Sequence, residues 1–206
     1  NMGKTKETKA IKQCGIFEID KLSSNFNNLI IELDKRTNNL VIEETKRAYQ
    51  EKLANTDPLT GAYNRRYLNE FSTDYLKIVK REKNDFSLLV VDLDDFKRIN
   101  DTYGHEGGDE VLIEFVKISR DTIRENDFIV RFGGDEFIIL LPNTTMNNAK
   151  ILANNINEHN MRSKINFSIS IGIAGYEAND LNIDDIILRA DNSLYEAKKA
   201  GKNRAI

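Results

Sequence analysis

Two apolar runs, residues 128–132 and 137–141, flank the segment Gly133-Gly134-Asp135-Glu136, and no other stretch constrains the fold of this chain as tightly. Phe128-Ile129-Val130-Arg131-Phe132 and Phe137-Ile138-Ile139-Leu140-Leu141 are both strand-like, and a glycine pair between such runs signals a tight antiparallel hairpin. The turn then presents Asp135 and Glu136 near a strand edge. There the two carboxylates can simply face water, or they can hold metal ions against a polyphosphate ligand.

The surrounding pattern places this hairpin in an α/β domain. Helices are expected around residues 65–81, 107–124, 146–157 and 183–200, and further strands at residues 86–92 and 166–175. Helices alternating with strands, interrupted by one hairpin, argue for a mixed sheet covered by helices. With 206 residues, 40% of them hydrophobic, the chain has material for one core plus extra helix. Asp57-Pro58-Leu59-Thr60-Gly61 breaks the preceding pattern sharply. The expected division is therefore residues 1–56, an N-terminal extension with a long helix, and residues 57–206, a globular domain of catalytic size.

Residues 18–55 contain neither proline nor glycine and are rich in charge, as in one long helix or two with a break. Leu22, Phe26, Leu29, Leu33 and Leu40 follow alternating steps of four and three, with Arg36 at the polar seam position, which describes a coiled-coil seam. Ile42, Tyr49 and Leu53 change the phase, so the seam stutters there. The alternative is an amphipathic helix packed on its own domain. The net charge of −3, with interspersed signs, excludes the broad basic footprint that duplex nucleic acid requires. Cys14, the single cysteine, excludes an intrachain disulfide and a cysteine-based zinc site. No run approaches the length of a membrane-spanning helix. Asn1-Met2 reads as a cloning remnant, so the chain is expected to begin inside a longer protein.

The chemistry gathers at strand ends. Residues 86–91 lead directly into Asp92-Leu93-Asp94-Asp95-Phe96-Lys97, which puts carboxylates where open α/β sheets bind ligands. Asp92 and Asp135 can together chelate magnesium, which takes hard oxygen ligands and keeps positions open for phosphate oxygens. Asp94 and Asp95 read more simply as caps of the following helix. Residues 100–109 read as a polar, glycine-punctuated loop. Its Asn100 and Asp109 can pair with the edge of guanine, although Asp109 is equally a first-turn helix residue. His105 stands alone and reads as structural. Lys198 and Lys202, four apart at the end of the last helix, share a face if the helix persists, and either grip phosphates or remain solvated partners of the helix dipole.

As an ordered set, these residues resemble the diguanylate cyclase family, whose GGDEF domain takes its name from residues 133–137. The resemblance covers residues 57–206. It includes Asp57-Pro58-Leu59-Thr60-Gly61 with Asn64-Arg65-Arg66, Asp92 to Lys97 with Asn100-Asp101, Gly104-His105, Gly108-Asp109, Ser170-Ile171-Gly172, Ala190-Asp191, Leu194-Tyr195, Ala197-Lys198, Gly201 and Asn203. It implies a palm-like nucleotidyl cyclase fold, with a central, mainly antiparallel mixed sheet preceded by the long coiled-coil helix. It also implies condensation of two GTP into cyclic di-GMP with release of pyrophosphate, across a homodimer.

By position, Asp92 and Asp135 would hold Mg2+ with the Leu93 carbonyl, with Mn2+ as an alternative; Glu136 would be a second ligand or help deprotonate the attacking 3′-hydroxyl, and Asp135 and Glu136 would be the catalytic pair. Asn100 and Asp109 would read guanine, Phe96 and Lys97 would lie under the phosphates, and Lys198 and Lys202 would hold them. Position 202 is commonly arginine in the family, so bidentate contact is lost here while the charge is kept. Arg124-Glu125-Asn126-Asp127, beginning nine positions before Gly133, falls where the family carries an Arg-x-x-Asp site for feedback by cyclic di-GMP. Residues 17–33 resemble the second helix of a HAMP relay. That implies a cytoplasmic domain attached to a sensor in the bacterial inner membrane.

Overall fold

The computed structural model describes residues 2–163 and 165–206, with side chains described from residue 18. Cys14, Phe17 and Asn1 therefore lie outside the described side chains. The chain divides into two compact units, Asn1–Lys52 and Leu53–Ile206.

The first unit is the body of a single unbroken helix, α1 (Met2–Asn55). Its seam residues are all exposed: Leu22, Phe26, Leu29, Leu33 and Leu40 each leave half or more of their surface open. Among the described residues no helix is long and apolar enough to cross a membrane.

The second unit is built on a six-stranded sheet. Its elements are β1 (Tyr63–Asn64), α2 (Arg65–Glu82), β2 (Phe86–Leu93), α3 (Phe96–Thr122), β3 (Phe128–Arg131), β4 (Glu136–Pro142), α4 (Met146–Met161), β5 (Ile169–Gly175), α5 (Ile183–Lys199) and β6 (Arg204–Ala205). The strand order is β1-β3-β4-β2-β5-β6. The four central strands are antiparallel, and the two short outer strands pair in parallel. The mixed, mainly antiparallel sheet expected from the sequence is thus present, and its core connectivity is the split β-α-β-β-α-β arrangement.

Period-two alternation divides the strand side chains between two cores. Leu89, Val91 and Leu93 of β2 join Phe137, Ile139 and Leu141 of β4 against α3 and α4. Leu88 and Val90 join Ile138 and Leu140 against α2 and α5. Both faces are covered, which is why these strands read as continuous apolar runs. Helix α5 lies so close to β5 that a Cβ on Gly172 would fall 2.0 Å from the Ala190 carbonyl oxygen and 2.4 Å from the Leu194 nitrogen. The separated motif residues Gly172, Ala190 and Leu194 are therefore one packing contact. It brings the carboxyl end of α5 beside the carboxyl end of β2.

Local chemistry sets the helix limits. Asn64 caps α2 by accepting from the Tyr67 N–H at 3.1 Å. Asn182 and Asp185 form a reciprocal capping box at the start of α5. Two expectations need correction. Residues 100–109 are not a loop: α3 begins at Phe96 and runs through them with a kink at Gly104, where φ is 76°. The hairpin is also looser than a two-residue turn. Its strands stop at Arg131 and resume at Glu136, neither glycine has positive φ, and the N–H groups of Phe132 and Gly133 both donate to the Glu136 carbonyl, at 2.9 and 3.2 Å.

Candidate active site

The hairpin and β2 meet in register, so that Asp92 lies directly opposite Glu136. The Leu93 N–H donates to the Asp135 carbonyl at 3.3 Å, extending the pairing past the strand end. Asp92 follows Leu88 and Val90 on the even side of β2, and Glu136 precedes Ile138 and Leu140 on the even side of β4, so both are on the face covered by α5. From that helix Lys198 places Nζ 2.7 Å from Asp92 Oδ2.

Like charges opposite one another across a sheet repel. Burial raises the Asp92 carboxyl above its ordinary range; Lys198 opposes this, and the charges of Asp135 and Asp94 add to it. Glu136 is raised by desolvation and then by the negative charges of Asp92, Asp135 and Asp191, with only Lys198 in opposition. The carboxyl of Asp191, on α5, is raised as well, by desolvation. One lysine thus serves an excess of acids.

Below this cluster opens a cleft of about 300 Å³, lined by Asp92, Leu93, Asp94, Asp95, Phe96, Lys97, Asp135, Lys198 and Lys202. Lys202 Nζ sits 2.6 Å from Asp95 Oδ1. The two lysines do not share a helix face, because the helix does not persist as far as Lys202. Helix α5 ends at Lys199, Gly201 takes φ 111° and Lys202 φ 61°. The N–H groups of Gly201 and Lys202 close the helix on the carbonyls of Lys198 and Ala197, at 3.3 and 3.1 Å. This is a Schellman closure. The lysines converge on the cleft because the chain turns back.

Nor do Asp94 and Asp95 cap α3 with their side chains. Asp95 occupies the N-cap position in a left-handed conformation without a side-chain cap bond, and Asp94 is buried, bonded to Ser168 and Ser170.

The proposed base readers lie beside the cleft but do not line it. A Cβ on Gly108 would fall 1.9 Å from Asn100 Oδ1 and 3.2 Å from Phe96 Cζ. Glycine at 108 therefore lets the first segment of α3 fold against the second, which brings Asn100 next to the backbone that carries the exposed Asp109.

The family model described as "Diguanylate cyclase, GGDEF domain" matches residues 54–204. The chain belongs to the GGDEF family. Diguanylate cyclase DgcM of Escherichia coli (strain K12) is 38% identical over 164 residues, covering 76% of this chain and 39% of that protein. Response regulator PleD of Caulobacter vibrioides is 35% identical over 164 residues, covering 75% of this chain and 36% of that protein. The chain thus spans well under half the length of these relatives. Among solved structures, the coiled coil and GGDEF domain of DgcB from Caulobacter crescentus, in complex with c-di-GMP, aligns with TM-score 0.73 at 25% identity, covering 86% of this chain and 97% of that one. The active GGEEF domain of a diguanylate cyclase from Vibrio cholerae aligns with TM-score 0.65 at 36% identity, covering 69% and 94%.

Within this GGDEF domain, Arg124 and Asp127 stand apart from the cleft, in the turn between α3 and β3. Asp127 Oδ2 accepts from the Arg124 N–H at 2.9 Å, and the Asp127 N–H donates to the Arg124 carbonyl at 3.0 Å. The turn closes on itself, leaving the Arg124 side chain exposed.

Sequence reasoning missed four contributors. Asp191, Asp94 and Asp95 are noted above. The fourth is Arg131, which bonds both Asp57 oxygens at 3.1 and 3.2 Å and the Gly134 carbonyl at 2.8 Å. It thereby ties the hairpin to the start of the domain. The available signal was an arginine inside an otherwise apolar strand.

Among the described residues, no three acidic, histidine or cysteine side chains converge as a ready metal site. The donor set is nevertheless all hard oxygen, and its raised carboxyls mark a place short of positive charge. Those properties fit a hard divalent cation.

Proposed function

We propose that this GGDEF domain is a diguanylate cyclase that condenses two GTP into cyclic di-GMP and releases two pyrophosphates at a dimer interface. The observation that carries this reading is the pairing of Asp92 with Glu136 beside Asp135, with Lys198 and Lys202 resting on Asp92 and Asp95. Acids short of positive charge and cations held by exchangeable carboxylates are the two halves of a metal-triphosphate site.

Asp92, Asp135 and the Leu93 carbonyl would hold Mg2+ or Mn2+, which when bound neutralises phosphate charge and activates the attacking hydroxyl. The remaining work falls to the chain's own residues. Asn100 and Asp109 select guanine through its acceptor and donor edge. Lys198 and Lys202 move from their aspartates to the β- and γ-phosphates, and the backbone at Phe96 and Lys97 supports them. Glu136, opposite Asp92 across the strand pair, serves either as a further ligand of that cation or as the group that takes the proton from the 3′-hydroxyl. Each 3′-oxygen attacks the α-phosphorus of the GTP on the other domain, so two copies must face one another.

The exposed seam of α1 is the means of pairing them, as a coiled-coil homodimer. Arg124, braced by Asp127, serves as a site for the product and makes the enzyme product-inhibited. The catalytic domain comprises residues 57–206. Residues 1–56 relay a signal from an upstream sensor in the inner membrane, with the GGDEF domain in the cytoplasm. Incubation with GTP and Mg2+ should yield cyclic di-GMP and pyrophosphate, quantified chromatographically. A confirmed dimer that binds GTP but forms neither would overturn the reading.

A further inference from the structure

The tripeptide after α5 is unusual. Gly201, Lys202 and Asn203 all have positive φ, at 111°, 61° and 50°, a conformation that side-chain-bearing residues adopt rarely. Something must hold it. The Asn203 N–H donates to Asp94 Oδ2 at 3.0 Å, and the same carboxylate accepts from Ser168 at 2.9 Å and Ser170 at 2.7 Å. Asp94 is only 4% exposed, so the carboxylate that holds the exposed turn is itself buried in the cleft wall.

Two adjacent carboxylates therefore grip two adjacent residues. Buried Asp94 takes the Asn203 backbone, and exposed Asp95 takes the Lys202 ammonium at 2.6 Å. The partners differ in permanence. Asp95 is solvent-accessible and can release Lys202 to a phosphate, whereas Asp94 has three donors, from Ser168, Ser170 and Asn203, and stays.

We infer that Asp94 is a positioning residue for nucleotide binding: it pins the left-handed turn so that Lys202 reaches the β- and γ-phosphate end of the cleft. This rests on the diguanylate cyclase reading only in the identity of the ligand. An asparagine here keeps one oxygen for the Ser168 hydroxyl and the Asn203 N–H, and turns its NH2 toward the Ser170 hydroxyl, which can accept as well as donate. The requirement at position 94 is thus for an acceptor of this length, not for the charge.

Binding of α,β-methylene-GTP and of GMP to the dimeric chain, measured by titration calorimetry with Mg2+, tests the inference without turnover. Asp94→Ala and Lys202→Ala should each weaken the triphosphate analogue about tenfold and leave GMP unchanged. The double variant should bind no more weakly than Lys202→Ala alone, because Asp94 acts through that lysine. Asp94→Asn should restore binding to within about twofold of the parent. If the alanine variant does not fold, Asp94→Ser, which keeps a hydroxyl for Ser170 but is too short to reach Asn203, takes the same comparison. Losses that add in the double variant, or that fall equally on GMP, overturn the inference. A parent chain that binds neither nucleotide overturns the reading of the site along with it.

Discussion

Two groups of carboxylates in this domain are treated in opposite ways. Asp57 and Asp180 are each matched to an arginine. Burial works to raise Asp57, but the Thr60 hydroxyl and N–H together with Arg131 outweigh it and hold the carboxyl below its ordinary value. Burial is likewise outweighed at Asp180, by Arg189 and the Glu177 N–H. At the cleft, Asp92, Glu136 and Asp191 are raised, and Lys198 is shared among them. The first group closes structure with its charge already answered. The second leaves charge unanswered, a cost to the fold that a bound cation would remove.

The largest expected effect separates function from stability at the crowded site. Asp135→Ala or Glu136→Gln should lower cyclic di-GMP formation by at least about 10³-fold, while the urea midpoint stays level or rises at neutral pH. A parallel loss of stability would show that these acids are structural after all. At the matched site the reverse is expected. Arg131→Ala leaves a half-buried Asp57 and an unsupported Gly134 carbonyl, and should cost about 2 kcal/mol in urea denaturation. A loss of activity without that cost would break the distinction.

Smaller effects sharpen it. Saturating Mg2+ should raise the melting temperature by about 2–4 °C, equivalent to about 1 kcal/mol, and do nothing to Asp135→Ala. The pH dependence should differ in sign between the groups. Asp180 titrates below its ordinary 3.8 in the fold, so its contribution is complete above that pH and disappears as pH falls through the depressed value. Asp180→Asn should therefore flatten the acid limb of the stability curve. Glu136 titrates above its ordinary 4.5, so its protonation favours the fold. That benefit is full below 4.5 and lost as pH rises through the raised value. Any stability gained by Glu136→Gln should then shrink toward acid, as read from urea midpoints across pH.

Much of this was legible in the residues. The span of α2 follows from Asn64 at its start, and that of α5 from its capping box and Gly201. The strands follow from apolar runs broken by polar or glycine-containing segments. What failed were statements about which chemistry a local signal served. Gly133-Gly134 looked like a tight two-residue turn, yet the connection is longer and neither glycine has positive φ. Asp94 and Asp95 preceded a helix and so looked like caps. The closest partners of their side chains are instead 74 to 109 positions away, just before and on β5 and after α5.

The chain by itself determined the order of elements and the set of polar residues near their ends, because turns, caps and alternation depend on neighbours within a few positions. The fold alone decided that Asp92 opposes Glu136, that Lys198 rests on Asp92, and that Lys202 leaves its helix yet returns to the cleft. Those outcomes depend on strand register and on how closely α5 approaches β5 at Gly172. Such distances are set by the packing of two cores at once, and residue spacing along the chain does not carry them.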